Sequence, residues 1–429
     1  MSPFSAAMAA WREAATFRAS RLRLKNYAYS RQWNDPTTTE EGLIITEGDK
    51  VRLGGRNPQT NNLIRPLIKS VVGRFRYNIS QEKPLSDSML DSVYRHNQID
   101  ELDSRALEEF LISGCVVQRV GWEHLAHGEG VSVENVNPNR FFVNRFLDTR
   151  GRDIRLIGML HDVPLERVKM SFASGDSDLA QLIGMVYEQC SSMQPESVAD
   201  IGKPGFEEQF HRCADRTLCR VIEVWSYDYD SGKADEFDPH WHCRYYAPDG
   251  TLLAETRSPY QHGSHPFVVK FYPLTDGEVH AFIEDVIDQQ RHINQLITTI
   301  DAILVNSAKG VLLFPTDALP DGMTLPMATS AWHHPGGVLP INPKASRLPV
   351  EMHSGGRSEG ASHLLDLEMK LFQQISGVSN AMQGVAPNPS MSASLYDSQI
   401  YNAAISLLDI FETFNSFRTQ RDRLVMMSM

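Results

Sequence analysis

Cys213 and Cys219, followed by His240, His242 and Cys243, are soft ligands, and thiolates with imidazoles are the donors a tetrahedral zinc ion takes. Their spacing argues against such a site. The gap between the first two cysteines exceeds the usual one of about two to four residues, and the adjacent His242 and Cys243, on a strand, point to opposite faces. Half-buried strand residues are the plainer reading. Gly356-Arg357-Ser358-Glu359-Gly360 matches the nucleophile elbow of hydrolases, where a strained turn between strand and helix exposes a serine. The triad order then requires a later acid and histidine, but the only later histidine, His363, lies in the same helix and cannot swing back as the base. The match reads as a turn and helix start. Asp228, Asp230 and Gly232 resemble part of a calcium loop, yet the glycine is out of place and the twelfth position is Pro239, so a hairpin tip is expected. Phosphate loops, dinucleotide fingerprints and His-Glu-x-x-His pairs are absent. The chain reads as non-enzymatic, with no metal and no cofactor. The rival is a cytosolic hydrolase or zinc-dependent enzyme using the Cys/His set at 213–243.

Periodicity gives the elements that must carry these residues. Residues 61–75 place Leu63, Leu67, Ile68, Val71 and Val72 at helical spacing, and 86–97 and 101–112 read as two more helices. Gly114 opens an extended run through Trp122, and strands follow at 131–136, 141–144 and 155–161. Helices and strands in blocks indicate an α+β fold. Helices return at 163–173 and 178–188, 191–205 is a polar loop, and 220–225, 242–246 and 251–255 form a meander turning at Pro248-Asp249-Gly250. From 278 to 306, apolar residues including Val279, Phe282, Ile283, Val286, Ile287, Ile293, Leu296 and Ile300 predict a single helix of about 30 residues, roughly 45 Å long. The Pro-rich stretch 310–356, with β-like runs at 311–314, 338–341 and 348–352, predicts a compact insertion that is neither helix nor linker. Helix resumes at 363–375, a loop spans 376–393, and 395–424 is a last long helix.

Bulk properties exclude other classes. The 429 residues, 41% hydrophobic and 22% charged, provide two to three globular domains, and no apolar run approaches the roughly 18 to 20 residues that cross a bilayer. With 41 basic against 53 acidic residues the net charge is −12, which argues against gripping nucleic acid through phosphate neutralisation. Five scattered cysteines point to a reducing cytosol. Residues 1–34 carry Arg12, Arg18, Arg21, Arg23, Lys25 and Arg31 against Glu13, which predicts an amphipathic helix (Trp11, Ala15, Phe17, Leu22, Leu24) with a basic outer face. Trp11, Tyr27, Tyr29 and Trp33 suit packing better than a transit peptide.

Several stretches, in order, resemble the portal proteins of tailed double-stranded DNA bacteriophages. They are Asn137-Pro138-Asn139-Arg140-Phe141-Phe142-Val143, Asp153-Ile154-Arg155, Glu223-Val224-Trp225, His265-Pro266-Phe267, Asp276-Gly277-Glu278, Asp288-Gln289-Gln290-Arg291-His292-Ile293-Asn294 and Ser376-Gly377-Val378-Ser379-Asn380-Ala381-Met382-Gln383-Gly384. The helix, insertion, helix, loop, helix layout matches as well. The resemblance implies a portal-like α+β fold: a mixed α/β wing at 1–275, stem helices at 276–308 and 357–376 flanking a small β-containing clip at 309–356, a tunnel loop at 377–395, and a long helix at 396–429 leading to a minimal or absent crown. It also implies a head-tail connector ring of twelve copies at a capsid vertex, in a virion assembled in the bacterial cytoplasm, through which DNA is packaged and ejected. The implied partners are the terminase large subunit, a head-tail adaptor, the major capsid protein, a scaffold and weakly held double-stranded DNA, with no membrane. The tunnel loop would offer Met382, Gln383, Asn388, Ser390, Met391 and Ser392 to DNA. The clip would offer Trp332, His333, His334, Lys344 and Arg347 to partners.

Overall fold

The computed structural model describes residues 2–81, 88–125, 128–192, 209–229 apart from 214 and 216, 239–307, 311–333 apart from 321, 340–352 apart from 349, 358–378 and 405–429. Where one amphipathic N-terminal helix is expected there are two, α1 (Pro3–Glu13) and α2 (Ala15–Ala28), broken at Ala14. The basic face is not wholly outward either. Arg18 and Arg21 are buried: Arg18 stacks 3.8 Å over the Trp11 ring and donates to the Trp11 carbonyl, while Arg21 clasps Glu109 with two hydrogen bonds of 2.6 and 2.7 Å. A charge row read as solvated is thus the glue between the N-terminus and the body.

An arm follows, made of the hairpin β1 (Pro36–Thr38) and β2 (Ile44–Thr46) and the short helix α3 (Glu47–Leu53), which Thr46 caps by accepting from the Asp49 amide. Helices α4 (Ile64–Gln81), α5 (Ser88–Asn97) and α6 (Ile99–Ser113) fall where periodicity places them. Gly114, at φ +68°, closes α6 where a side chain would collide with Val279. Strands β3 (Cys115–Leu125) and β4 (Gly128–Asn135) join the later β10 (Phe267–Phe271) in an antiparallel sheet of order β10-β3-β4. A second sheet runs β5-β6-β7-β8-β9, from β5 (Phe141–Val143), β6 (Leu156–Val163), β7 (Cys219–Tyr229), β8 (Pro239–Tyr246) and β9 (Leu252–Arg257). Alternation along β7 decides what each face meets: Ile222 and Val224 pack under α1 with Trp11 and Phe142, whereas Trp225 faces the three-stranded sheet with Phe267 and Val269. Helices α7 (Leu165–Ala173) and α8 (Ser177–Ser192) close one end of the larger sheet.

The predicted 30-residue helix is shorter than its apolar pattern. Residues 273–279 form a tight hairpin, β11 (Pro273–Thr275) with β12 (Glu278–Val279), whose turn holds Asp276 and Gly277 at φ +54° and +83°. A 3-10 turn at Glu284–Val286 follows, and α9 spans only Ile287–Ser307. Ile283 and Val286 are buried in irregular backbone that mimics a helical repeat. After β13 (Val311–Leu313) the insertion contains a helix, α10 (Leu325–His333), against the expectation of none. Residues 340 and 341 lie in no strand, and 338 and 339 fall outside the described residues. Strand β14 (Val350–Met352) pairs antiparallel with β13, α11 (Ser358–Ser376) returns to the body, and α12 (Leu408–Ser428) buries Ile410, Phe414, Phe417 and Val425. The main core joins α2, α4, α6, the start of α9, the end of α11 and α12.

Candidate functional site

Helix α9 leaves the body, the insertion follows, and α11 comes back along α9. His292 Nδ1 meets Glu368 Oε1 at 3.0 Å across this hairpin, and Ile287, Ile293 and Phe372 root both helices in the main core. At the far end the three-residue ladder pairs Val311 with Met352 and Leu313 with Val350, which closes the base of the insertion.

The other side of α9 carries a polar seam. Gln290 Oε1 accepts the Leu63 amide at 2.7 Å while its Nε2 donates to the Asn61 carbonyl at 2.6 Å. Asn294 Oδ1 accepts the Asn61 amide at 2.8 Å and its Nδ2 donates to Gln32, and Thr298 Oγ1 accepts the Gln59 amide at 3.0 Å. These residues, four apart, are buried, and each satisfies backbone that would otherwise be desolvated without a partner. Arg291 adds an ion pair with Glu47 of α3. Sequence reading quoted Gln290 and Asn294 only as part of a resemblance. The signal that could have singled them out was an amide, an amide and a hydroxyl at i, i+4 and i+8 on one face of the helix.

The segment after α11 is clasped at both ends. Gly377, at φ +65°, ends α11, Val378 is fully buried beside Leu407, and Ser406 Oγ donates to the Gly377 carbonyl at 3.1 Å. Chain leaving at 378 therefore re-enters the same core at 407. Met382, Gln383, Asn388, Ser390, Met391 and Ser392 all lie outside the described residues.

In the insertion, the Asp317 carboxylate accepts from the amide and hydroxyl of Ser346, and the Asn342 amide donates to the Ala318 carbonyl at 2.9 Å, so the 315–320 and 340–348 stretches are tied together. Lys344 and Arg347 stand exposed on that tie. Trp332 and His333 belong to the backbone of α10, their side chains being outside what is described, and His334 lies outside the described residues.

The enzyme features do not converge. His240 and His242, on alternate positions of β8, touch at 2.7 Å between their Nε2 atoms, but Cys243 is buried on the opposite face. Cys213 donates its thiol to Asp162 at 2.9 Å. Burial first of all pushes the thiols of Cys213 and Cys243 up to about 12, so they are protonated at neutral pH and poor ligands. Among the described residues no three His, Cys, Asp or Glu side chains could hold one metal ion. Asp228 is paired with Arg244 at 2.6 Å, and residues 230–238 of the calcium-like loop fall outside the description. Ser358 opens α11, with 353–357 also outside.

The quoted motifs instead do positional work. Asn144 Oδ1 accepts the Arg155 and Leu156 amides at 2.8 and 2.9 Å, and Asp153 accepts the Leu147 amide at 2.7 Å, which sets the turn between β5 and β6. Glu223, fully buried, accepts from Trp225 Nε1 at 2.7 Å and meets His161 Nε2 at 2.6 Å. No curated protein is a significant match to the chain. A family model described as phage P22-like portal protein, however, matches residues 4–425. That span takes in both sheets, the hairpin with its tip insertion and the clasped segment, and on it the chain belongs to the phage P22-like portal protein family.

Proposed function

We propose that the α9–α11 hairpin is the channel-forming stem of the portal, with its insertion as the docking surface for other components and the clasped 377–395 segment as the loop facing DNA. The chain has the structural role of a phage portal protein, at the capsid vertex where DNA is packaged. Our finer reading assigns 1–275 to the wing, 276–308 and 357–376 to the stem, 309–356 to the clip and 396–429 to the helix beyond the tunnel loop. Twelve copies form the ring. The clip receives the terminase large subunit and then the head-tail adaptor, using Trp332, His333, His334, Lys344 and Arg347, and scaffold and major capsid protein are further partners. Assembly takes place in the host cytoplasm.

The observation that carries this reading is the clasp at 377 and 406, which brings the two ends of the intervening segment together at the root of the hairpin. Charge supports it. A conduit must let a polyanion slide both ways, and a chain of net charge −12, repeated around a ring, repels phosphate at long range instead of trapping it. The loop's Met382, Gln383, Asn388, Ser390, Met391 and Ser392 are neutral, so contact there is weak.

Deleting residues 384–392 tests the assignment. Rings should persist in negative-stain images while packaging fails; loss of assembly would make the loop structural. Replacing 310–356 with a short linker should abolish terminase and adaptor docking, and undiminished docking would refute the clip.

A further inference from the structure

Between the arm and α9 lies a cleft of about 320 Å³ lined by Trp33, Lys50, Val51, Arg56, Arg291 and Thr298, among others. Its charges are unbalanced. Three cations face one carboxylate, Glu47, which Arg291 engages, and Arg291 Nε is buried with no acceptor among the described residues. Among the described residues Arg56 bonds the Thr299 hydroxyl alone, at 3.5 Å. At the far end of the same arm, the turn joining β1 to β2 presents the reverse: Glu40 and Glu41 stand exposed, followed by Leu43 and Ile44, which are 60% and 79% exposed. The turn is preset, because the Gly42 amide donates to the Thr39 carbonyl at 3.0 Å and the Leu43 amide to Thr39 Oγ1 at 3.1 Å.

We propose that the Glu40–Glu41 turn of one copy of this chain inserts into the Lys50/Arg56/Arg291 cleft of the next, latching neighbours head to tail. The carboxylates meet the under-paired cations, and Leu43 and Ile44 lose water against Trp33 and Val51. The latch is open within one copy: Glu40 and Glu41 stand exposed and neither is ion-paired with Lys50, Arg56 or Arg291, although Thr37, three residues before Glu40, lines the copy's own cleft. Duplex DNA is a poorer occupant, since a convex rod does not enter a concave cleft, whereas a protruding turn does. Because donor turn and acceptor cleft are different surfaces, the contact is heterologous, the kind that repeats around a closed ring. The proposal rests on the portal reading for its identical neighbours.

Charge reversal tests it on the full chain, with ring formation read by light scattering and negative-stain microscopy. Glu40→Lys with Glu41→Lys sets a basic turn against a basic cleft, and Lys50→Glu with Arg56→Glu sets an acidic turn against an acidic one. Each double variant alone should need at least tenfold more protein than wild type to reach half assembly. Mixed in equal amounts, they should recover wild-type rings of alternating copies, since each turn then meets an opposite charge. All four positions are exposed, so melting temperatures should stay at the wild-type value. Variants that assemble singly like wild type, or a mixture no better than its components, would overturn the latch while leaving the portal reading intact. A wild-type chain that stays at 48.3 kDa throughout would overturn the latch together with the self-assembled ring on which it rests.

Discussion

Arg421 gives the sharpest test of how the C-terminal helix is held. Its guanidinium is fully buried, donates to Asp103, itself 1% exposed, and donates to Tyr94 Oη at 3.0 Å and Asp422 at 2.9 Å. Asp103 belongs to α6, so this pair fastens α12 to the body from which the hairpin springs. Arg421→Met keeps most of the volume but leaves a buried carboxylate short of its main counter-charge. Breaking such a pair costs about 3 to 5 kcal/mol. The lower end applies here, because Arg418 Nε still reaches Asp103 at 3.1 Å and Gln118 Nε2 lies 3.5 Å away. About 3 kcal/mol corresponds to a roughly hundredfold faster amide exchange from the locally opened helix. Hydrogen exchange read on the Leu408–Ser428 peptides should show that loss, with little change in β6 and β7. The double variant Asp103→Leu with Arg421→Met should regain most of the protection, since an apolar replacement of a buried pair is often neutral or better. Unchanged protection in the single variant, or a double variant as weak as the single, would refute the claim that charge pairing anchors α12.

Three further outcomes follow from geometry elsewhere. Gly158→Ala places a methyl 2.1 Å from the Glu223 carbonyl oxygen and 2.6 Å from the Phe142 ring, so the central sheet must shift; soluble expression should collapse, and a well-folded variant would refute the close packing of β6 on β7. Burial alone would raise the Glu223 carboxyl, but the Arg119 and His161 charges outweigh burial and hold it at about 2, below the ordinary 4.5. Its contribution, about 3 kcal/mol, is therefore complete above pH 4.5 and drains as pH falls toward 2. In acid denaturation Glu223→Gln should flatten that limb, and superimposable curves would contradict it. Asp317→Ala removes the tie to Ser346, so limited proteolysis should nick the 340–348 stretch first while global melting stays put; equal resistance to wild type would show the tie to be incidental.

Local periodicity made most elements legible. The α6 helix, the long β3 strand and the β7–β8 pair stand where hydrophobic spacing and turn residues put them, because each buries one regular face. The errors arose where tertiary packing imitates a local signal. Residues 278–286 repeat apolar groups at helical spacing yet are irregular, since their burial comes from fitting against α6: the Ile283 amide donates to the Leu111 carbonyl at 3.3 Å. Arg18 and Arg21 read as solvated because a charge declares no partner, and their partners, the Trp11 carbonyl and Glu109, lie seven and 88 residues away. Long-range pairing of that sort has no signature in spacing. The α10 helix escaped notice because Pro326 suggests loop, although proline is well tolerated in a helix's first turn.

Several buried polar groups among the described residues hold one chain segment against another. Gln290, Asn294 and Thr298 bond the backbone of 59–63, Asn294 also bonds Gln32, and Glu223 bonds Trp225 and His161, while the half-buried Asn144 and Asp153 hold the turn after β5. Each fixes one chain segment against another at a single register. A subunit of a closed ring needs that rigidity, since a small error in the angle between its two contact surfaces adds at every neighbour and decides whether the ring closes. An apolar seam would hold α9 to the 59–63 segment with comparable strength but would tolerate sliding by a residue, whereas paired amides accept one register. Replacing the Asn294 amide by leucine should therefore perturb ring size more than monomer stability. The measured quantity is the subunit number distribution of assembled rings: a broadened distribution supports the argument, and uniform wild-type rings from a destabilised monomer would refute it.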